Sequence, residues 1–126
     1  MTSSGRAANG LALGFLVALG SCNKAAPSPA PVPSTTITIT ASGVSPKNVL
    51  VAVGDRVRFI NNDSRSHDMG SDPHPDHSDC PEINQVGFLM PGQTRETGNF
   101  VVARTCGFHD HDIPGATSLQ GSITIR

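Results

Sequence analysis

The sequence predicts an all-β domain with a sandwich or barrel architecture, on three observations. Short segments of alternating apolar and polar residues recur from Thr36 to the end of the chain, turn-forming residues separate them, and no segment has a convincing helical period. Short strands joined by turns are typical of antiparallel sandwiches and barrels. A chain of 126 residues has room for one domain, and a disulfide or a metal would help to stabilise so small a core.

The first residues have the pattern of a signal peptide. Arg6 supplies a positive charge, and an apolar stretch follows over residues 11–19. The sequence Leu19-Gly20-Ser21-Cys22 resembles the bacterial lipobox, in which small residues precede a cysteine that becomes lipidated. We therefore expect a signal peptide over residues 1–21 and a protein exported to the cell envelope, on the periplasmic or outer-surface side, where Cys22 anchors it to a membrane. An ordinary signal peptide with a chance cysteine is the alternative.

Residues 22–35 predict a flexible linker between the lipid and the domain. The stretch is dominated by Ala, Pro and Ser, which cannot bury enough apolar surface to fold, and its prolines keep it extended. No later apolar run is long enough to cross a bilayer. The sequence thus predicts a lipid anchor, a tether and one domain over residues 36–126.

The predicted strands of this domain carry apolar residues at alternate positions, as half-buried strands require. These inward residues are Ile37 and Ile39, then Val49, Val51 and Val53, then Val57 and Phe59, and finally Ile123 and Ile125. Residues 98–108 have a weaker pattern and predict a further strand pair. Asn61 to Met90 is a long connection rich in Asp, His, Pro and Ser, and a loop of that length is usually functional or disordered.

The charged residues exclude some function classes. Nine Lys and Arg nearly balance ten Asp and Glu without forming a basic stripe, so we expect no nucleic-acid partner. The sequence shows no serine or cysteine nucleophile with a supporting base, no phosphate-binding glycine loop and no assignable carboxylate pair. We therefore predict a protein that is not an enzyme, with a redox electron-carrier role left open.

Several segments, taken in order, resemble the cupredoxin family. Val44-Ser45-Pro46-Lys47-Asn48-Val49, the run from Val53 to Phe59, and Asn61-Asn62-Asp63-Ser64 followed by His67 resemble its first half; Pro91-Gly92-Gln93-Thr94 and the closing run from Gly121 to Ile125 resemble its second. The resemblance covers Thr36 to Arg126. It implies a Greek-key β-sandwich with a copper site at one end, and it implies that His67 is a copper ligand.

The other ligands leave two interpretations open. A blue-copper site takes a cysteine thiolate, two imidazoles and a weak axial ligand, usually Met. In the first interpretation Cys106 is the thiolate, His67 and His109 are the imidazoles, and the protein is a blue or green electron carrier. No Met follows His109, however, and counting along the last hairpin places Asp110 at the family's cysteine position.

The second interpretation, which we favour, is a disulfide between Cys80 and Cys106, since these two cysteines are left to pair once Cys22 is lipidated. His109 and His111 are two residues apart on a strand, so their imidazoles project from one face and Asp110 from the other. With His67 they could form a three-imidazole site, which suits Cu(II).

All five histidines lie between His67 and His111, and packing alone does not explain such clustering. His74 and His77 are therefore further candidate ligands, or a loose copper trap on a solvated loop. Three nearby carboxylates would attract a cation; they belong to Asp63, Asp68 and Asp72.

The run from Gly107 to His111 also resembles the metal-binding strand of copper–zinc superoxide dismutases. In that family further ligands follow the strand, whereas only a short tail without histidine follows here. A superoxide dismutase-like enzyme and a purely structural lipoprotein are therefore alternatives to the main prediction. That prediction is an extracytoplasmic, lipid-anchored copper-binding protein for copper handling or electron transfer, with a redox or copper-exchange protein as its partner.

Overall fold

The computed structural model describes residues 29–126 and, before them, only Gly10, Gly14 and Gly20. The lipidation site at Cys22 therefore lies outside the described residues, and so does the predicted signal peptide apart from these three glycines. Among the described residues, no helix has the length and apolar character needed to span a membrane.

Ten strands and two short 3₁₀ helices make up the described part of the chain, which contains no α-helix. The strands are β1 (Val32–Pro33), β2 (Thr36–Thr40), β3 (Gly43–Ser45), β4 (Asn48–Val51), β5 (Arg58–Asn61), β6 (His67–Ser71), β7 (Gly87–Leu89), β8 (Thr94–Glu96), β9 (Arg104–Asp110) and β10 (Gly121–Ile125). The 3₁₀ helices span Ile83–Gln85 and Thr117–Leu119. The predicted all-β class is confirmed.

The strands form two sheets, with the orders β1-β4-β10-β9-β6-β7 and β3-β2-β5-β8. Both sheets are mixed, because β4 runs parallel to β1 and β10, and β2 runs parallel to β5. The sheets of the predicted sandwich are therefore not antiparallel throughout. The reason is connectivity: the chain crosses between the sheets, so strands distant in sequence become parallel neighbours.

The core lies between the two sheets and is built from the alternate residues that the sequence indicated. Ile37, Ile39 and Phe59 are fully buried, and the ring of Phe59 meets Phe108 edge to face. Val53 is an exception, since 52% of its surface is exposed. Strand β4 ends at Val51, and the chain then turns at Gly54, whose φ of +97° favours glycine.

The structure extends the domain at its N-terminal side. Val32 pairs with Val49, so β1 adds an edge strand to the larger sheet within the segment predicted to be a linker. Pro33 is compatible with this position because an edge strand has one side without ladder hydrogen bonds. This pairing lies before the predicted domain boundary at Thr36.

The segment from Asn61 to Met90 is more ordered than the sequence indicated. It contains β6, the first 3₁₀ helix and β7, and its residues Met69 and Leu89 are fully buried in the core. The predicted strand pair over residues 98–108 is instead one strand, β9, which begins at Arg104 and continues to Asp110. Strand β9 lies inside the larger sheet, between β10 and β6. It carries His109, and β6 carries His67.

Candidate metal centre

The register between β6 and β9 separates the histidines onto two faces of the larger sheet. Met69 pairs with Asp110, and Gly70 pairs with His109. Because side chains alternate along a strand, Asp110 shares the inner face with Met69 and His67, whereas His109 projects from the outer face.

On the inner face, His67 is held between two carboxylates. Its side chain is 1% exposed, its Nδ1 lies 2.7 Å from Oδ2 of Asp110, and its Nε2 lies 3.0 Å from Oδ2 of Asp63. Arg65 donates from Nε to the same oxygen of Asp63 at 3.0 Å. The inner face therefore holds a buried, hydrogen-bonded group, which we call the inner triad: Asp63, His67 and Asp110.

This environment lowers the pKa of Asp63. Burial alone raises the pKa of this carboxyl group, but hydrogen bonds from His67, Arg65 and the backbone N–H of Ser64, together with the charge of Arg65, outweigh burial and lower it to about 2. Asp63 is therefore ionised at neutral pH and accepts a hydrogen bond from the His67 ring.

Both ring nitrogens of His67 are already engaged by carboxylates, Nδ1 by Asp110 and Nε2 by Asp63. Neither nitrogen can bind a metal without giving up one of these hydrogen bonds. Contrary to the predicted three-imidazole set, the structure does not bring His67 together with His109 and His111.

The two cysteines of the domain are joined by a disulfide, which confirms the predicted pairing of Cys80 with Cys106. Their Cα atoms are 5.9 Å apart, and both residues are fully buried. Cys106 is thus not available as a thiolate ligand, and a carboxylate, Asp110, lies opposite His67. These residues do not fit the type 1 copper site of the first interpretation.

The other four histidines form a cluster on the outer face, which we call the histidine cluster: His74, His77, His109 and His111. Ring centroids lie 5.4 Å apart for His74 and His109, 4.9 Å for His77 and His109, and 4.8 Å for His77 and His111. One ligand nitrogen from each of His74, His77 and His109 lies within 4.8 Å of the others. Among the described residues this is the one such group of three or more potential ligands.

Hydrogen bonds fix the orientation of two rings in the histidine cluster. Nδ1 of His109 lies 2.5 Å from a carboxylate oxygen of Asp72, and Nδ1 of His77 lies 2.7 Å from the carbonyl oxygen of Ser71. Metal-binding histidines usually donate their second ring N–H to a carboxylate or a carbonyl in this way, which frees the other nitrogen for the metal. When Nδ1 donates in each of these rings, Nε2 carries the lone pair that can bind a metal.

The Nε2 atoms of these two rings differ in their surroundings. Nε2 of His109 is buried, since the residue is only 2% exposed, and it has no hydrogen-bond partner among the described residues. Nε2 of His77 lies 2.7 Å from Nδ1 of His111. An unpaired buried nitrogen is costly and needs an explanation, and a bound cation provides one.

Two glycines allow the loop with His74 and His77 to fold over β9. A Cβ atom at Gly70 would lie 2.7 Å from Nδ1 of His77, and a Cβ atom at Gly107 would overlap the carboxylate of Asp72. The backbone N–H of Asp72 donates to the carbonyl of Gly107 at 3.0 Å. The loop can thus contact the sheet only where side chains are missing.

The backbone at His77 is held in an uncommon conformation. Its φ of 52° lies in the left-handed region, which costs an ordinary residue about 1 kcal/mol or more. Asn84 stabilises this turn, since its amide accepts from the N–H of Ser71 and donates to the carbonyl of His77. Strain of this kind concentrates at functional sites.

The charges around the histidine cluster favour a cation. Residues 66–94 and 105–125 contain no Lys or Arg, whereas they contain several carboxylates, at Asp68, Asp72, Asp76, Asp79, Glu82, Asp110 and Asp112. Partial desolvation and the neighbouring imidazoles of His111, His109 and His77 lower the pKa of His74. A lowered pKa favours the neutral ring, which is the form that binds metals.

Sequence reasoning had placed His109 and His111 on one face and Asp110 on the other, and the structure has the same arrangement. It had ranked His74 and His77 behind His67, and the structure places these two residues beside His109 and apart from His67. Gly70 and Gly107 permit this close approach, which the spacing of the histidines does not reveal.

Comparisons with known proteins identify the fold. No protein-family model and no curated protein matches this sequence. Among solved structures, a purple cupredoxin from Nitrosopumilus maritimus is 20% identical, with 74% of this chain and all of that chain covered and a TM-score of 0.54.

Two further solved structures are also similar to this chain. The oxidised plastocyanin of Dryopteris crassirhizoma is 15% identical, covers 72% of this chain and 99% of its own, and has a TM-score of 0.57. An oxidised amicyanin variant is 17% identical, covers 74% of this chain and 82% of its own, and has a TM-score of 0.59. The β-domain of this chain has the cupredoxin fold.

Proposed function

We propose that this protein binds one copper ion through the histidine cluster and functions in copper handling outside the cytoplasm. The observation that carries the proposal is the buried, unpartnered Nε2 of His109, which lies among three further imidazoles. Export and anchoring through Cys22 belong to the proposal on the strength of the signal-peptide and lipobox pattern alone.

The donor set suits copper. Four imidazoles without sulfur favour Cu(II), which prefers tetragonal sites of nitrogen and oxygen ligands, and Cu(II) binds such ligands more tightly than the other divalent first-row metals. Asp72 and Ser71 hold the rings of His109 and His77 in place before the metal arrives. Copper would supply one-electron redox chemistry at this position.

Exposure of the ligands favours exchange of the metal over its permanent storage. His109 is buried on β9, whereas His74 and His111 are exposed, and no hydrogen bond of the described residues restrains the ring of His74. A ligand of that kind can release the metal first. We therefore expect the partner to be a protein that donates or accepts copper, with a redox protein as the second candidate because of the fold.

A competition titration tests the proposal. Purified protein is titrated with Cu(II) in the presence of a chromophoric chelator of known affinity, and copper is counted per chain. We expect one copper ion per chain, and we expect His109→Ala to weaken binding by at least about 100-fold, since this ring contributes the most constrained nitrogen. Absence of stoichiometric copper, or full affinity in His109→Ala, would contradict the proposed site.

A further inference from the structure

A cavity of 310 Å³ lies on the outer face directly beside the histidine cluster. His77 and His111 form one wall, and Gly70 and Gly87 contribute bare backbone to the others. Because these glycines carry no side chain, a small molecule can come close to the two imidazoles. The cavity therefore gives access to one side of the proposed metal position.

Besides the two histidines, two polar side chains line this cavity, and they differ in the hydrogen bonds that they can still make. The amide of Asn84 is already committed to the N–H of Ser71 and the carbonyl of His77. The carboxylate of Asp68 makes no hydrogen bond or ion pair with any residue that the structure describes, although Asp68 is only partly exposed. Asp68 is therefore the free acceptor in the cavity.

We propose that the cavity binds a small, uncharged nitrogen donor as an exchangeable ligand of the metal. The donor's lone pair would bind the metal beside His77 and His111, and its N–H would donate to Asp68. This assignment rests on the proposed copper site. Free imidazoles and the histidine side chain of a partner protein share the required chemistry.

The carboxylate of Asp68 weakens the binding of anions beside the metal. The cation attracts an anion, but at this position the anion would also lie near Asp68, and no Lys or Arg between Ser66 and Thr94 offsets that repulsion. An uncharged donor gains a hydrogen bond from the same carboxylate. Asp68 should thus select for donors with an N–H and against small anions such as azide.

The test uses pulsed EPR of the copper-loaded protein with ¹⁵N-imidazole, whose nuclear signature differs from that of the protein's own imidazoles. We expect ¹⁵N coupling to the copper, and we expect Asp68→Asn to weaken imidazole and strengthen azide binding, each by about tenfold. Asp76→Asn, which removes a carboxylate outside the cavity, is the matched control and should change neither affinity.

The possible outcomes separate this inference from the proposed function. Copper content is measured first, and a protein without copper contradicts the histidine site itself. Copper present without ¹⁵N coupling, or equal affinities in the protein and in Asp68→Asn, overturns the cavity assignment alone. A short histidine-containing peptide is titrated in parallel: binding of the peptide as well as imidazole supports a partner's side chain as the source, and binding of imidazole alone supports a free small molecule.

Discussion

Nδ1 of His67 lies 2.7 Å from Oδ2 of Asp110 on the inner face of the larger sheet, which sets His67 apart from the other four histidines. The neighbouring residue, His109, projects from the opposite face and bonds to Asp72 instead. At the end of the sandwich where a cupredoxin resemblance implies a copper ligand, the chain thus has the hydrogen-bonded inner triad. The nitrogens of the proposed metal site are gathered on the outer face.

The inner triad should contribute to stability rather than to metal binding. We expect His67→Ala to lower the free energy of unfolding by about 3 kcal/mol or more, because it leaves two buried carboxylates without their shared partner. Chemical denaturation of the metal-free protein measures the effect. His74→Ala is the control, since it removes an exposed ring without hydrogen bonds and should change stability by about 0.5 kcal/mol or less. A His67→Ala protein with an unchanged free energy of unfolding would show that the hydrogen bonds of the inner triad do not stabilise the fold.

The acid sensitivity of the fold should depend on Asp63. Its pKa is about 2 in the folded protein against an ordinary value of 3.8, so the unfolded chain binds more protons between these values. The stabilisation is complete above about pH 4 and is lost as the pH falls through about 2. Denaturation midpoints of the protein and of Asp63→Asn should therefore differ at neutral pH and converge over this range. A difference that stays constant down to pH 2 would contradict the assignment.

Asp72 should act on the metal through His109. We expect Asp72→Asn to weaken Cu(II) binding by about 10- to 100-fold, because the ring of His109 loses the carboxylate that fixes its orientation. Competition titration measures the affinity. The matched control is Asp76→Asn on the same loop, whose carboxylate has no hydrogen-bond partner among the described residues. An equal loss in both variants would mean that only the negative charge of the loop matters.

The disulfide should stabilise the domain through the loop that it closes. Cys80 and Cys106 are 26 residues apart, and loop-closure entropy for that separation gives about 3 to 4 kcal/mol. We expect the double variant Cys80→Ala and Cys106→Ala to lose about this much in the free energy of unfolding. Circular dichroism at low temperature checks that the variant still folds. Unchanged stability would indicate that the bond does not form in the protein.

Much of the fold follows from local pattern. Ile37, Ile39 and Phe59 are buried where period two places them. The count along the last hairpin placed Asp110 at the family's cysteine position, and in the structure Asp110 contacts His67. Alternation along β9 also placed His109 and His111 on one face. These inferences succeed because strand geometry is fixed over a few residues.

The remaining features depend on contacts between distant segments. The parallel pairing of β2 with β5 and the fold of the loop over β9 bring together residues far apart in sequence. Strand β6 carries His67, Asp68 and Gly70 at positions where strands usually carry β-branched residues, so its composition conceals it. His74 and His77 lie among Asp, Pro and Ser residues, a composition that predicts a solvated loop.

EPR of the protein loaded with one equivalent of Cu(II) tests the central claim most directly, in parallel with the variants His67→Ala and His109→Ala. We expect a signal from several imidazole nitrogens that is unchanged in His67→Ala and lost or replaced in His109→Ala, with only weak visible absorption because no thiolate is available. A signal that depends on His67 and not on His109 would contradict the outer-face site. An intense blue or green absorption band would contradict the sulfur-free donor set.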